Sequence, residues 1–87
     1  SPLLAGFNGK FYRKIRPEAP NPIAEEGDTL EPNSPIGIGM RGKKTQWFIR
    51  LNRYEYPKGG TVTRFMAPDG VDVAKGETII CYVKKIE

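Results

Sequence analysis

Eighty-seven residues, 38% hydrophobic and 28% charged, suffice for one small domain with a thin core and exclude a second. No apolar stretch approaches the about 20 residues of a membrane-spanning helix; there is no histidine for acid–base chemistry, and the single cysteine excludes an internal disulfide. The net charge of +4 is modest but uneven: Arg41 to Arg53 carries five basic residues and no acid, suiting either an anionic partner or a solvated strand and turn. One unpaired cysteine points to a reducing compartment, the cytoplasm. Ser1 in place of an initiator methionine points to a single domain, residues 1–87, within a longer polypeptide.

Eight prolines and ten glycines cut the chain into short apolar runs, which favours an all-β fold. The chain opens on "SPLLAGFNGKFYR". "KIRPEAPNPIAEE" follows, and its three prolines forbid continuous sheet pairing, so it forms a protruding loop. "GDTLEPNSPIGIGM" then matches "GVDVAKGETIICYV" without gaps at an offset of 43 residues: Gly27 falls on Gly70, Leu30 on Val73, Ile36 on Ile79 and Ile38 on Cys81. "GKFYR" at Gly9 matches "GTVTR" at Gly60 at an offset of 51, and the difference of eight residues places an insertion in the proline-rich segment. Two such halves, neither able to bury its apolar face alone, imply a small flattened barrel or sandwich with pseudo-twofold symmetry. The aligned parity predicts a core of Ile36, Ile38, Ile49, Leu51, Val62, Val73, Ile79 and Cys81.

Between the halves lies "GMRGKKTQW". With Lys43-Lys44 as a two-residue turn, Met40 faces Trp47, Ile38 faces Ile49 and Ile36 faces Leu51, so that the apolar faces coincide. The opposite face sets Gly39 against Phe48 and Gly37 against Arg50. A turn at Gly42-Lys43 keeps the same parity. The outward set Phe48, Arg50, Asn52, Tyr54 and Tyr56 makes an aromatic and basic ladder, suited to stacking bases or to a protein interface.

These segments together resemble the biotinyl domain of biotin carboxyl carrier proteins, within the wider biotin/lipoyl-attachment family, over most of the chain. "EEGDTLEPNSPIGI" is similar to that family's E-x-G-D-x-V-x-x-G-x-x-L segment, and "GGTVTRFMAPDGVDVAKGETIICYV" to its closing run. The resemblance implies a barrel-sandwich hybrid in which "RPEAPNP" is the thumb, and a hairpin tip presenting a modified lysine. The family's E-A-M-K-M is matched here by Met40-Arg41-Gly42-Lys43-Lys44, which keeps only the lysine. Counting forward from Gly27 puts Lys43 on the attachment position, whereas counting back from Gly60 puts Ile49 there, so the hairpin reads as six residues longer than the family's.

The expectation is a carrier-like binding or scaffolding module without catalytic residues, metal or prosthetic group. It would engage protein partners through Arg41, Lys44, Phe48, Arg50 and Tyr54; the resemblance implies acyl-CoA carboxylase subunits among them. The alternative is a genuine biotin or lipoyl carrier in which the neutral amine of Lys43 attacks an acyl-adenylate and serves as the swinging arm. A third reading is single-strand nucleic-acid binding through the face of Phe48, Arg50 and Tyr54. Cys81 falls on an apolar position of the repeat and reads as core. Glu25, Glu26 and Asp28 border Gly27 in a solvated turn, and neither zinc nor calcium spacing is present.

Overall fold

A computed structural model describes all residues, Ser1–Glu87. Its eight strands are β1 (Pro2–Leu4), β2 (Gly9–Tyr12), β3 (Thr29–Leu30), β4 (Pro35–Arg41), β5 (Thr45–Arg50), β6 (Gly60–Phe65), β7 (Val71–Val73) and β8 (Ile79–Lys85). They form two antiparallel sheets, ordered β1-β8-β6-β3 and β5-β4-β2-β7. Exchanging each strand for the one four places away in the chain converts one order into the other, so a single arrangement is used twice. The result is a sandwich rather than a closed barrel. Its extents of 38 × 27 × 19 Å and radius of gyration of 12.0 Å describe a flattened body as compact as a folded chain of this length should be.

Main-chain hydrogen bonds fix how the halves correspond. Gly27 donates to Val62 and Gly70 to Phe11, both at 2.7 Å; Asn33 donates to Leu51 and Gly76 to Ala5, both at 2.8 Å. Asn33 and Gly76 share the left-handed backbone, with φ of 68° and 74°. To this point the offset is the 43 residues read from the sequence. Next, Leu51 donates to Ser34 at 2.9 Å and Ala5 to Thr78 at 2.8 Å, so Ser34 corresponds to Thr78, an offset of 44. The second turn has one extra residue, and from there Ile36 corresponds to Ile80, Gly37 to Cys81 and Gly39 to Val83. Both halves carry an irregularity at matching places, between Pro35 and Gly37 and between Leu3 and Leu4.

This slip corrects the expected core. Ile80 and Cys81 are both fully buried, while Ile79 is only half-buried; Ile49 is half-buried at the core's margin. Ile36, Leu51, Val62 and Val73 lie in the core as expected, joined by Phe11, Tyr56 and Val83. Tyr56 is thus no part of an outward ladder. β5 stops at Arg50, the chain turns, and the phenol points inward, where Tyr56 Oη and Ser1 Oγ share a hydrogen bond of 2.8 Å.

The hairpin register differs from expectation by one residue. Arg41 pairs with Thr45, Gly39 with Trp47 and Gly37 with Ile49, closing a three-residue tip of Gly42, Lys43 and Lys44. Gly42 makes that tip possible by taking φ +67°, which other residues adopt only with strain. Because side chains alternate along a strand, one residue of slip exchanges the faces. Gly37 and Gly39 therefore point inward, and a Cβ at either would sit 2.7 Å from the Phe11 ring or 2.6 Å from the Trp47 ring, respectively.

Ile38, paired with Tyr12 and Phe48, is consequently buried outside the main core, together with Ala19 and Ala24. What covers it is the proline-rich thumb between β2 and β3. The thumb is an excursion from the strand pairing, closed at its neck by Ile23 N–H donating to the Arg13 carbonyl at 2.7 Å. Gln46, on the same outer face, donates to the Ile15 carbonyl at 3.2 Å.

Two substitutions test the slip. Ile80→Ala should cost ~2–5 kcal/mol and Ile79→Ala under about 1 kcal/mol in urea denaturation; equal losses would contradict the assignment. Gly37→Ala should cost ~1–3 kcal/mol, because its Cβ would lie 2.5 Å from the Tyr12 carbonyl oxygen as well as against the Phe11 ring.

Candidate functional site

The β4–β5 hairpin gathers the predicted site residues. Lys43 stands at the middle of the three-residue tip, exposed, with exposed Arg41 and Lys44 beside it. The ion pairs of the fold engage Lys10, Lys14 and Arg16, leaving Lys43 and Lys44 without a carboxylate. Lys10 pairs with Asp72 at 3.2 Å along one wall of a groove of about 550 Å³, whose other wall is Arg41, Gly42 and Lys43.

Arg41 is held rather than free. Its Nε donates to the Asn8 carbonyl at 3.4 Å, and its guanidinium lies 5.8 Å from the centre of the Trp47 ring. Arg50 repeats this arrangement further along β5, with Nη1 donating to the Asn33 carbonyl at 3.1 Å and the guanidinium 5.3 Å from the Phe48 ring. In the following link Arg53 lies 5.0 Å from the Tyr54 ring and donates to its hydroxyl at 3.0 Å. The Asn52 carboxamide oxygen accepts from the main-chain N–H groups of Tyr54 and Glu55 at 2.8 and 3.2 Å, which sets the turn that lifts Tyr54 to 81% exposure. The hairpin and the link after it therefore present three guanidiniums, each beside an aromatic ring.

The structure brings Arg41, Lys43 and Lys44 together at the tip and places Phe48, Arg50 and Tyr54 along the edge beyond it. Arg53 and Asn52 belong with this second group and were not singled out as site residues by the sequence reading. The adjacent Arg-Tyr pair was the available signal for Arg53, whereas the Asx-type turn at Asn52 was hidden inside a segment read as continuing strand. The tip is tight, and the link Leu51–Gly60 is five residues longer than the corresponding Ala5–Gly9 of the other half.

Arg13 forms the other polar cluster. Its N–H donates to Asp69 Oδ1 at 2.6 Å, Nη2 donates to the Ala24 carbonyl at 3.3 Å, and the guanidinium stacks 3.9 Å from the Phe65 ring centre. This ties the thumb's two ends to β6. Cys81 of β8, paired with Phe65 of β6, has its thiol pushed up to about 11 by burial, partly offset by the nearby Arg13 charge. Such a thiol stays protonated and unreactive at neutral pH. No three His, Cys, Asp or Glu side chains converge in a set able to hold a metal ion, and no helix is long and apolar enough to cross a membrane.

No protein-family model matches the chain, and no curated protein matches it.

The Cys81 environment makes a prediction of defined sign. The unfolded thiol ionises near 9.0 and the folded one near 11, so the contribution to stability is complete below pH 9 and is lost as the pH rises toward 11. The melting temperature of the native chain relative to Cys81→Ala should fall over that interval and be flat from pH 7 to 8.5. A difference that grows with pH would show that the thiolate, not the thiol, is the favoured form.

Proposed function

We propose that this chain is a non-catalytic binding module built on a carrier-like sandwich, and that it bears no prosthetic group on its hairpin. The observation that carries the reading is the arrangement of cations: Arg41, Lys43 and Lys44 at the tip and Arg50 and Arg53 beyond it, with no carboxylate in the segment. Arg41 and Arg50 each donate to a main-chain carbonyl and lie beside a ring, which reduces the side-chain freedom lost when a partner binds them. Arg and aromatic side chains of this kind dominate protein interfaces. By resemblance to biotinyl domains, the partner would belong to an acyl-CoA carboxylase assembly.

The residues around Lys43 do not fit a biotinyl or lipoyl group well. An attachment ligase would have to grip a tip flanked by Arg41 and Lys44 where the related domains offer an acid and methionines. One observation nevertheless favours the carrier as a second reading: Lys43 is central in a tight, exposed tip, as a swinging-arm lysine requires. For nucleic acid, one face of the Phe48 ring and one of the Tyr54 ring already hold a guanidinium, so an incoming base has to displace it or use the other face.

Intact mass separates the first two readings. Protein co-expressed with biotin and lipoyl ligases should have the mass of the unmodified chain. A population heavier by one biotinyl or lipoyl group, and lost in Lys43→Arg, would replace the scaffold with the carrier.

A further inference from the structure

Each sheet of the sandwich has two edge strands, and three of the four are blunt. β1 has three residues and begins with a proline, β3 has two residues and β7 has three. β5 has six residues and no proline, and its outer side carries no partner strand. A strand edge offers an unpaired N–H and C=O at every second residue, and folded proteins normally cover or shorten such edges. β5 is the one long open edge of this molecule.

What would complete it can be read from its two faces. On the outer face stand Phe48, 47% exposed, and Arg50, with Lys43 and Lys44 at the tip on one end and Arg53 at the other; Arg41 leans to the opposite face, over Trp47. Toward the inner face, β5 borders β1, the edge of the opposite sheet, across a groove of about 350 Å³ whose lining mixes Leu3, Leu4 and Ile49 with Arg50, Asn52 and Glu55. Leu4 remains 45% exposed there. A strand added beside β5 would send alternate side chains into this seam, where Leu3, Leu4 and Ile49 can take apolar groups, and the others toward Phe48, Arg50 and the tip lysines. Glu55 is the one carboxylate of the groove, which it lines together with Arg50.

We infer that β5 is a docking edge for an extended peptide segment of alternating acidic and apolar residues, which adds to the second sheet as a fifth strand. Main-chain pairing supplies affinity, the seam takes the apolar side chains, and the acids meet Arg50 and the tip cations. A second copy of this chain is disfavoured as the occupant, because pairing β5 with itself would bring two sets of five cations together. The inference rests on the binding-module reading and names the chemistry of its partner.

The test uses the full chain and a labelled peptide, Glu-Val-Glu-Val-Glu-Val-Glu, followed by fluorescence anisotropy and by amide resonances of the ¹⁵N-labelled protein. The peptide should bind and shift the amides of Thr45 to Arg50 most. Methylating alternate backbone nitrogens of the peptide should weaken binding about tenfold or more, since it removes the pairing donors while keeping every charge. Rearranging the same residues as Glu-Glu-Glu-Glu-Val-Val-Val should do likewise. Arg50→Glu and Phe48→Asp should each weaken binding about tenfold, while Arg64→Glu, exposed on β6 of the other sheet, should leave it unchanged. Melts monitored by Trp47 fluorescence would establish that the variants fold. Absence of binding, equal binding of the methylated or rearranged peptide, amide shifts centred on another edge, or tighter binding of oligothymidylate would each overturn the inference. If the peptide fails while the chain's mass is unmodified, the scaffold reading stands without this partner. A modified Lys43 removes that reading whatever the peptide does.

Discussion

Two rings laid on bare backbone hold the second sheet together: Phe11 over Gly37 and Trp47 over Gly39. A flattened sandwich of this size has no room for large side chains on every inner position, so each ring requires a position with nothing above the Cα. The corresponding half solves the problem differently. Where the second sheet pairs Phe11 with Gly39, the first pairs Val62 with Val83, trading one large and one absent side chain for two of intermediate size. Phe7 then packs edge-on to Trp47 with ring centres 5.0 Å apart. The hairpin that carries the cations inherits its twist and its rigidity from this packing, because both of its strands take part in it.

The repeat, the all-β class and most of the core were legible because they follow from where apolar and turn residues recur. What failed was register. Ile79 and Ile80 are adjacent isoleucines, so either choice sets apolar on apolar, and the extra residue in the second turn leaves no trace in hydrophobicity. The hairpin failed for a related reason. A two-residue turn aligns Ile38 with Ile49 and puts the large apolar residues on one side, but Gly42 in the left-handed conformation lengthens the tip by one and reverses the faces. Ile38 is buried all the same, because the thumb covers the outer face that a simple alternation would have left wet.

The candidate site was readable in a complementary way. Arg41, Lys43, Lys44, Phe48, Arg50 and Tyr54 all lie at the surface, since a run of cations without acids has nowhere else to go. What fixes the guanidiniums was not readable. Asn8 and Asn33 contribute main-chain carbonyls from 33 and 17 positions away, and a carbonyl has no signature in the residue type. Tyr56 illustrates the same limit: its alternation with Tyr54 suggested one shared face, yet the Asx-type turn at Asn52 separates one ring for solvent and the other for the core.

The exchange of strands between the sheets also places Ser1 beside Val83. β4 and β5 correspond to β8 and β1, so the pairing that closes the hairpin has its counterpart where Ser1 and Val83 bond reciprocally, Ser1 N to the Val83 carbonyl at 2.7 Å and Val83 N to the Ser1 carbonyl at 2.9 Å. One junction between the halves is a covalent tip, and the other is held by hydrogen bonds alone. A circular permutant that joins Lys85 to Ser1 through a short turn and opens the chain between Lys43 and Lys44 would retain every strand pairing of both sheets. In that molecule the new termini, rather than a loop, would display Arg41 and the two lysines, which makes the order of the halves along the chain a matter of connectivity and not of architecture.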